Sequence, residues 1–164
     1  MVETTWTPSS LWKHMTSEQR HRAARAFWQT EEAADDHVQA VLLISQQKKF
    51  RPKTVIKLDE ERKARHLASL PNLPDALAAR ALVLYHLADQ RPMMGAFLDA
   101  LGIEHENGLI QEESVTPDPE RIAPAVAAIA EQYPPDDVSL YLKTLVCQDP
   151  DTWGALRPLS QLQG

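Results

Sequence analysis

Six histidines are the side chains best suited to chemistry in this sequence: His14, His21, His37, His66, His86 and His105. A carboxylate-bridged di-iron bundle needs two Glu-x-x-His helices that turn their ligands inward. Glu18 to His21 is the one match to that spacing. The residues three before His37, His66, His86 and His105 are Ala34, Lys63, Val83 and Gly102, none of them a carboxylate. No His-Glu-x-x-His run offers a zinc site. His86, Asp99, Glu104 and His105 flank one helical hairpin and could meet at a mononuclear metal, but their spacing does not prescribe it. No metal and no cofactor is therefore expected. Cys147 ends an apolar run, as small buried hydrophobes do, and its neighbours Asp149 and Asp151 disfavour the thiolate a nucleophile needs.

Paired carboxylates can move protons or hold hard cations. Glu31 with Asp35 and Glu32 with Asp36 stand four apart, but near a helix start at Thr30 they more simply favour the positive end of the helix dipole. With 5 glycines in the chain, no glycine-rich phosphate loop, Walker-type lysine or Gly-x-Ser-x-Gly elbow occurs. The run Gly95-Ala96-Phe97-Leu98-Asp99-Ala100-Leu101-Gly102-Ile103 resembles the first helix and turn of a helix-turn-helix. That resemblance implies a recognition helix over Glu104 to Glu113. Glu104, Glu106, Glu112 and Glu113 lie there with no Lys or Arg, so phosphates would repel it. No nucleic-acid partner is expected.

Charge is split along the chain. Residues 1–66 hold 12 Lys+Arg and 9 Asp+Glu, whereas residues 67–164 hold 5 and 14. The densest basic stretch runs from Lys48 to Arg65. It is either a solvated face or a docking patch for an acidic partner. Lys48, Lys49, Arg51, Lys53 and Lys57 are the candidate partner-binding residues. The candidate ligand-binding cluster is His86, Arg91, Asp99 and His105, beside a hairpin whose helices open at Pro74 and Pro92.

The elements that must position these groups are helical. Ala (21) and Leu (20) outnumber Val plus Ile (15), and strong helix formers therefore dominate. Most of the 12 prolines stand where a helix begins. The spacing predicts a short helix near Ser10 to His14. A capping box at Thr16 and Gln19 then starts a helix with Ala23, Ala24, Phe27 and Trp28 on one face. Val38, Val41, Leu42 and Ser45 mark the next buried stripe, ending near Lys48 or Lys49. A short helix restarts at Arg51-Pro52 and runs through Ile56. Asp59 caps the next, with Leu67 and Leu70 inward. The strongest helix runs from Pro74 to about Gln90, with Leu77, Ala81, Leu84, Tyr85 and Ala88 as its stripe and Leu82 and Leu87 widening it, as in a central, mostly buried helix. Pro92 opens another, closed by Gly102. Asn107-Gly108 marks a tight turn of the kind that closes hairpins. Helices follow from Asp118 to about Gln132 and from Val138 to near Gln148, and a short one starts at Asp149-Pro150. Gln90-Arg91-Pro92…Gly95-Ala96 and Gln148-Asp149-Pro150…Gly154-Ala155 echo each other, as two Ala/Leu-rich helices do by chance.

The expected fold is all-α: a compact bundle of about eight or nine short-to-medium helices with proline-punctuated connections. Residues 1–15 should form an arm anchored by Trp6 and Trp12, residues 16–157 one helical domain, and residues 158–164 a tail. Within that domain a basic-leaning half, 16–70, meets an acidic half, 71–157. Apolar runs such as Val41 to Ile44 and Ala81 to Tyr85 are too short to span a bilayer, and no membrane partner is expected. Met1 to Ser10 shows neither a basic start nor an apolar run, so no secretory signal is expected. With one cysteine, a reduced cytoplasmic setting follows. The leading expectation is a non-catalytic interaction or scaffold module that binds a protein partner or pairs with itself. The competing one is a small helical enzyme or a ligand- or metal-binding protein with a site near His86, Arg91, Asp99 and His105.

Overall fold

A computed structural model describes residues 6–31, 34–112 and 114–162. Met1 to Thr5 of the expected arm, Glu32 of the carboxylate pairs and Glu113 lie outside the described residues. Ten α-helices are present among those residues, rather than eight or nine: α1 Pro8–His14, α2 Ser17–Gln29, α3 Ala34–Lys48, α4 Pro52–Lys57, α5 Glu60–Ala68, α6 Asp75–Asp89, α7 Arg91–Leu101, α8 Pro119–Gln132, α9 Pro135–Gln148 and α10 Pro150–Trp153. The fold is all-α apart from one two-stranded hairpin, β1 His105–Glu106 and β2 Leu109–Ile110. No described helix is long and apolar enough to cross a membrane.

Local chemistry sets the helix ends. Thr16 and Gln19 form the expected capping box at α2. The Asp59 carboxylate accepts the Arg62 N–H at α5, and α7 stops at Gly102, whose φ of 71° suits a residue without Cβ. Proline opens α1, α4, α7, α8, α9 and α10 within the first two positions, where its missing N–H costs nothing.

The chain forms two compact units that meet in sequence at Asp89 and Gln90. Thr7–Asp89 is one, and Trp6 with residues 90–162 makes the other. In the first, α2 packs on α5 and α6, α1 packs on α6, and α3 lies against α4, α5 and α6. Trp12 is fully buried there and its indole N–H donates to the Leu70 carbonyl at 2.8 Å. In the second, α7 packs on α8, and α9 on α8 and α10. Phe97, Tyr141 and Trp153 form its aromatic centre, with ring centroids 5.7 Å and 5.9 Å from Phe97. Trp6 belongs to this unit, with the Lys143 ammonium 5.8 Å from its ring centroid. Leu162, within the expected tail, is buried in a 3-10 turn that packs on α9.

Two expectations need correction. On α6, Leu77, Ala81, Leu82 and Tyr85 are buried as expected, but burial also takes in Ala78 and His86 and leaves Ala88 exposed, because α1, α2 and α3 all pack on this helix. The segment after Gly102 is a hairpin rather than a recognition helix, so the helix-turn-helix resemblance ends at its turn. The two echoing segments differ, as a chance likeness allows. The first continues as α7 to Leu101, whereas the second leaves the α-helix at Trp153 for a 3-10 turn.

Candidate functional site

Two places gather the chemistry-bearing residues. The first is the hairpin on α7. Asn107 and Gly108 both take positive φ, 51° and 89°, the pairing that a two-residue hairpin turn of this hand requires. The His105 Nε2–H donates to Asp99 Oδ1 at 2.7 Å, and its Nδ1 accepts the Gly108 N–H at 3.0 Å. The Arg91 guanidinium donates to the Asn107 carbonyl at 3.1 Å. A Cβ on Gly95 would stand 3.2 Å from His105 Cε1, so the missing side chain lets the imidazole rest on α7. The structure thus brings together Arg91, Asp99 and His105. His86 is not among them: it lies in the core of the other unit, 4% exposed, its Nδ1–H donating to the Leu82 carbonyl at 2.8 Å.

An Asp–His pair is half of an acid–base machine, but a general base must offer a nitrogen lone pair to substrate. Here the Asp99 carboxylate holds one nitrogen of His105 and a backbone N–H occupies the other. The cluster fastens the hairpin. The other histidines are held in similar ways. His14 bonds to the Ser10 carbonyl, His21 lies 3.1 Å from Glu61, and His37 Nε2–H donates to the Phe27 carbonyl at 2.6 Å. Glu18 pairs with Arg22 at 2.8 Å rather than sharing a ligand site with His21. Asp36 pairs with Arg80 at 3.0 Å. Among the described residues no three His, Cys, Asp or Glu side chains gather as a metal site.

The second place is a groove of about 380 Å³ between α3, α4 and α5. It is lined by Trp28, His37, Val38, Val41, Leu42, Pro52, Ile56, Glu60 and Lys63. Val38, Leu42 and Ile56 are 60%, 53% and 58% exposed. This corrects the expected α3 stripe: Ala40, Val41 and Ile44 are buried, while Val38 and Leu42 face out. The reason is local. The run Val41-Leu42-Leu43-Ile44 wraps more of the helix than one packing face can cover. In α4, Val55 is fully buried, and its neighbour Ile56, about 100° further round the helix, points away from the core.

The groove has a basic edge. The Lys63 ammonium lies 5.5 Å from the Trp28 ring centroid, within cation–π range. Lys53 and Lys57 follow Pro52 and Ile56 round α4 on the side away from Val55, and both are exposed. Lys48, Lys49 and Arg51 are exposed on the α3–α4 turn, where Lys49 has a φ of 58°. The Ser45 hydroxyl closes that turn on the Phe50 carbonyl. Phe50 packs edge-on against His66, with centroids 5.3 Å apart. Burial first, and then the Lys48 charge, hold His66 below the usual histidine range. The Trp28 indole N–H is buried without an acceptor among the described residues.

All five cations singled out from sequence therefore lie on the α3–α4 turn or on α4 itself. The aliphatic residues beside them were missed. Their signal was the surplus of apolar positions on α3 and the adjacent Val55-Ile56 pair on a six-residue helix. Comparison with protein-family models, with curated proteins and with solved structures found no match.

Proposed function

We propose that the protein is a non-catalytic interaction module whose docking surface is the α3–α4–α5 groove. One observation carries this: three large aliphatic side chains, each more than half exposed, converge on a single concavity. Scattered exposed aliphatics are ordinary on a protein surface, but a contiguous apolar patch marks a place where something binds.

The magnitudes also say what else a partner must bring. Covering the exposed parts of Val38, Leu42 and Ile56 is worth about 1 kcal/mol each. A micromolar complex needs about 8 kcal/mol net. The aliphatic floor therefore supplies the hot spot, and the cationic edge with a wider contact supplies the rest. The α9 stripe offers little for self-pairing, because Val138, Tyr141, Leu142 and Val146 are buried within the chain's own second unit.

The test is crosslinked capture in native extract with three forms: wild type, the pair Leu42→Glu and Ile56→Glu, and the triple Arg51→Glu, Lys53→Glu, Lys57→Glu. Partners held by wild type should be lost with the first variant and reduced with the second, while circular-dichroism melts coincide. Equal capture by all three forms discards the surface.

A further inference from the structure

We propose that the groove's occupant is an acidic amphipathic helix of another protein, its apolar face on Val38, Leu42 and Ile56 and its carboxylates toward Lys53 and Lys57. This rests on the groove being a docking surface, and adds what docks there.

Helical form follows from the walls. The groove runs between helices, the arrangement that receives a helix through side chains at i, i+3 or i+4, and i+7. Strand addition would need a sheet edge, and the only strands among the described residues are the two-residue pair in the other unit.

Acidity follows from the charges left over. Residues 48–63 carry Lys48, Lys49, Arg51, Lys53, Lys57, Arg62 and Lys63 against Asp59, Glu60 and Glu61. Arg62 lies 3.7 Å from Asp59, and Arg25 3.2 Å from Glu61, so two of the three carboxylates are answered within the unit. Lys48, Lys49, Arg51, Lys53 and Lys57 make no ion pair among the described residues. Among the described lining residues, Glu60 is the one carboxylate that opposes an acidic ligand. A second copy docked groove to groove is disfavoured by the same charges, because a two-fold contact would bring two copies of the same basic edge together.

The experiment uses three fluorescein-labelled 18-residue helices with one shared leucine face, flanked by Glu, by Gln or by Lys, titrated into the full chain by anisotropy. The Glu-flanked helix should bind tightest, and its affinity should fall as salt rises. Leu42→Glu should weaken it roughly thirtyfold, the scale of a central anchor. Lys53→Glu with Lys57→Glu should weaken it roughly tenfold and flatten the salt dependence. Equal binding of all three helices, with no salt effect, overturns the acidic occupant and leaves the docking surface standing. Binding of none of them, with a sedimenting dimer that Leu42→Glu dissociates, assigns the groove to a second copy and overturns the proposal. Helix binding that Leu42→Glu leaves unchanged removes the docking surface itself.

Discussion

In the hairpin cluster the polar atoms close on one another: Asp99 on His105, His105 on Gly108, Arg91 on Asn107. At the α3–α4–α5 groove the reverse holds, for aliphatic side chains meet water and the five cations of the adjoining α3–α4 turn and α4 make no ion pair among the described residues. The hairpin cluster has the residue types that suggest catalysis and the bonding of a structural clasp. The groove has the residue types of a core and the exposure of an interface. What a site leaves unsatisfied after folding separates the two places more sharply than residue type does.

The sharpest contrast lies within α3. Ile44 is fully buried and Leu42, two residues earlier, is 53% exposed. Ile44→Ala should cost about 2–5 kcal/mol of stability in urea melts. Leu42→Ala should stay within about 0.5 kcal/mol, because its side chain lies largely in water already. Comparable losses at both positions would make the groove part of the core and break the comparison.

Gly108→Ala tests the clasp. Its φ of 89° strains any side chain, and the new Cβ would stand 3.0 Å from Met94 Cβ and 3.2 Å from the Arg91 carbonyl oxygen. A loss of more than about 1 kcal/mol is expected, with no change in helix binding at the groove.

Asp99→Asn should do less. Asp99 is 75% exposed, so its pair with His105 is screened and worth about 0.2–1 kcal/mol. The Asn variant should keep every binding property measured for the groove; altered binding would show that the hairpin cluster takes part in recognition.

The smallest effect is one of pH. His66 titrates below its unfolded value of 6.5 because burial and Lys48 disfavour its charge. The unfolded chain thus binds this proton first, and stability falls as pH drops from about 6.5 through the folded value. Urea melts at pH 7.5 and 5.5 should show a larger loss for wild type than for His66→Gln.

Much of the fold was legible because capping chemistry is local. Thr16 with Gln19, Asp59, Gly102 and the turn at Asn107-Gly108 act within a few residues, and each stands where the spacing placed it. Which face a helix buries is not local. On α6 burial extended to Ala78 and His86 but not to Ala88, and α3 left Val38 and Leu42 outside, because packing partners distant in sequence decide both. The candidate site was legible only as charge. Lys53 and Lys57 were visible from sequence, whereas the Trp28–Leu42–Ile56 floor needed α2, α3 and α4 in place.

The most direct measurement is the indole N–H region of the NMR spectrum while the Glu-flanked helix is added. The chain has 4 tryptophans. Trp28 lines the groove, and Trp12 is buried with its N–H on the Leu70 carbonyl. The account predicts that the Trp28 resonance shifts with added helix while the Trp12 resonance stays in place. A bound helix that leaves the Trp28 resonance unmoved would contradict it.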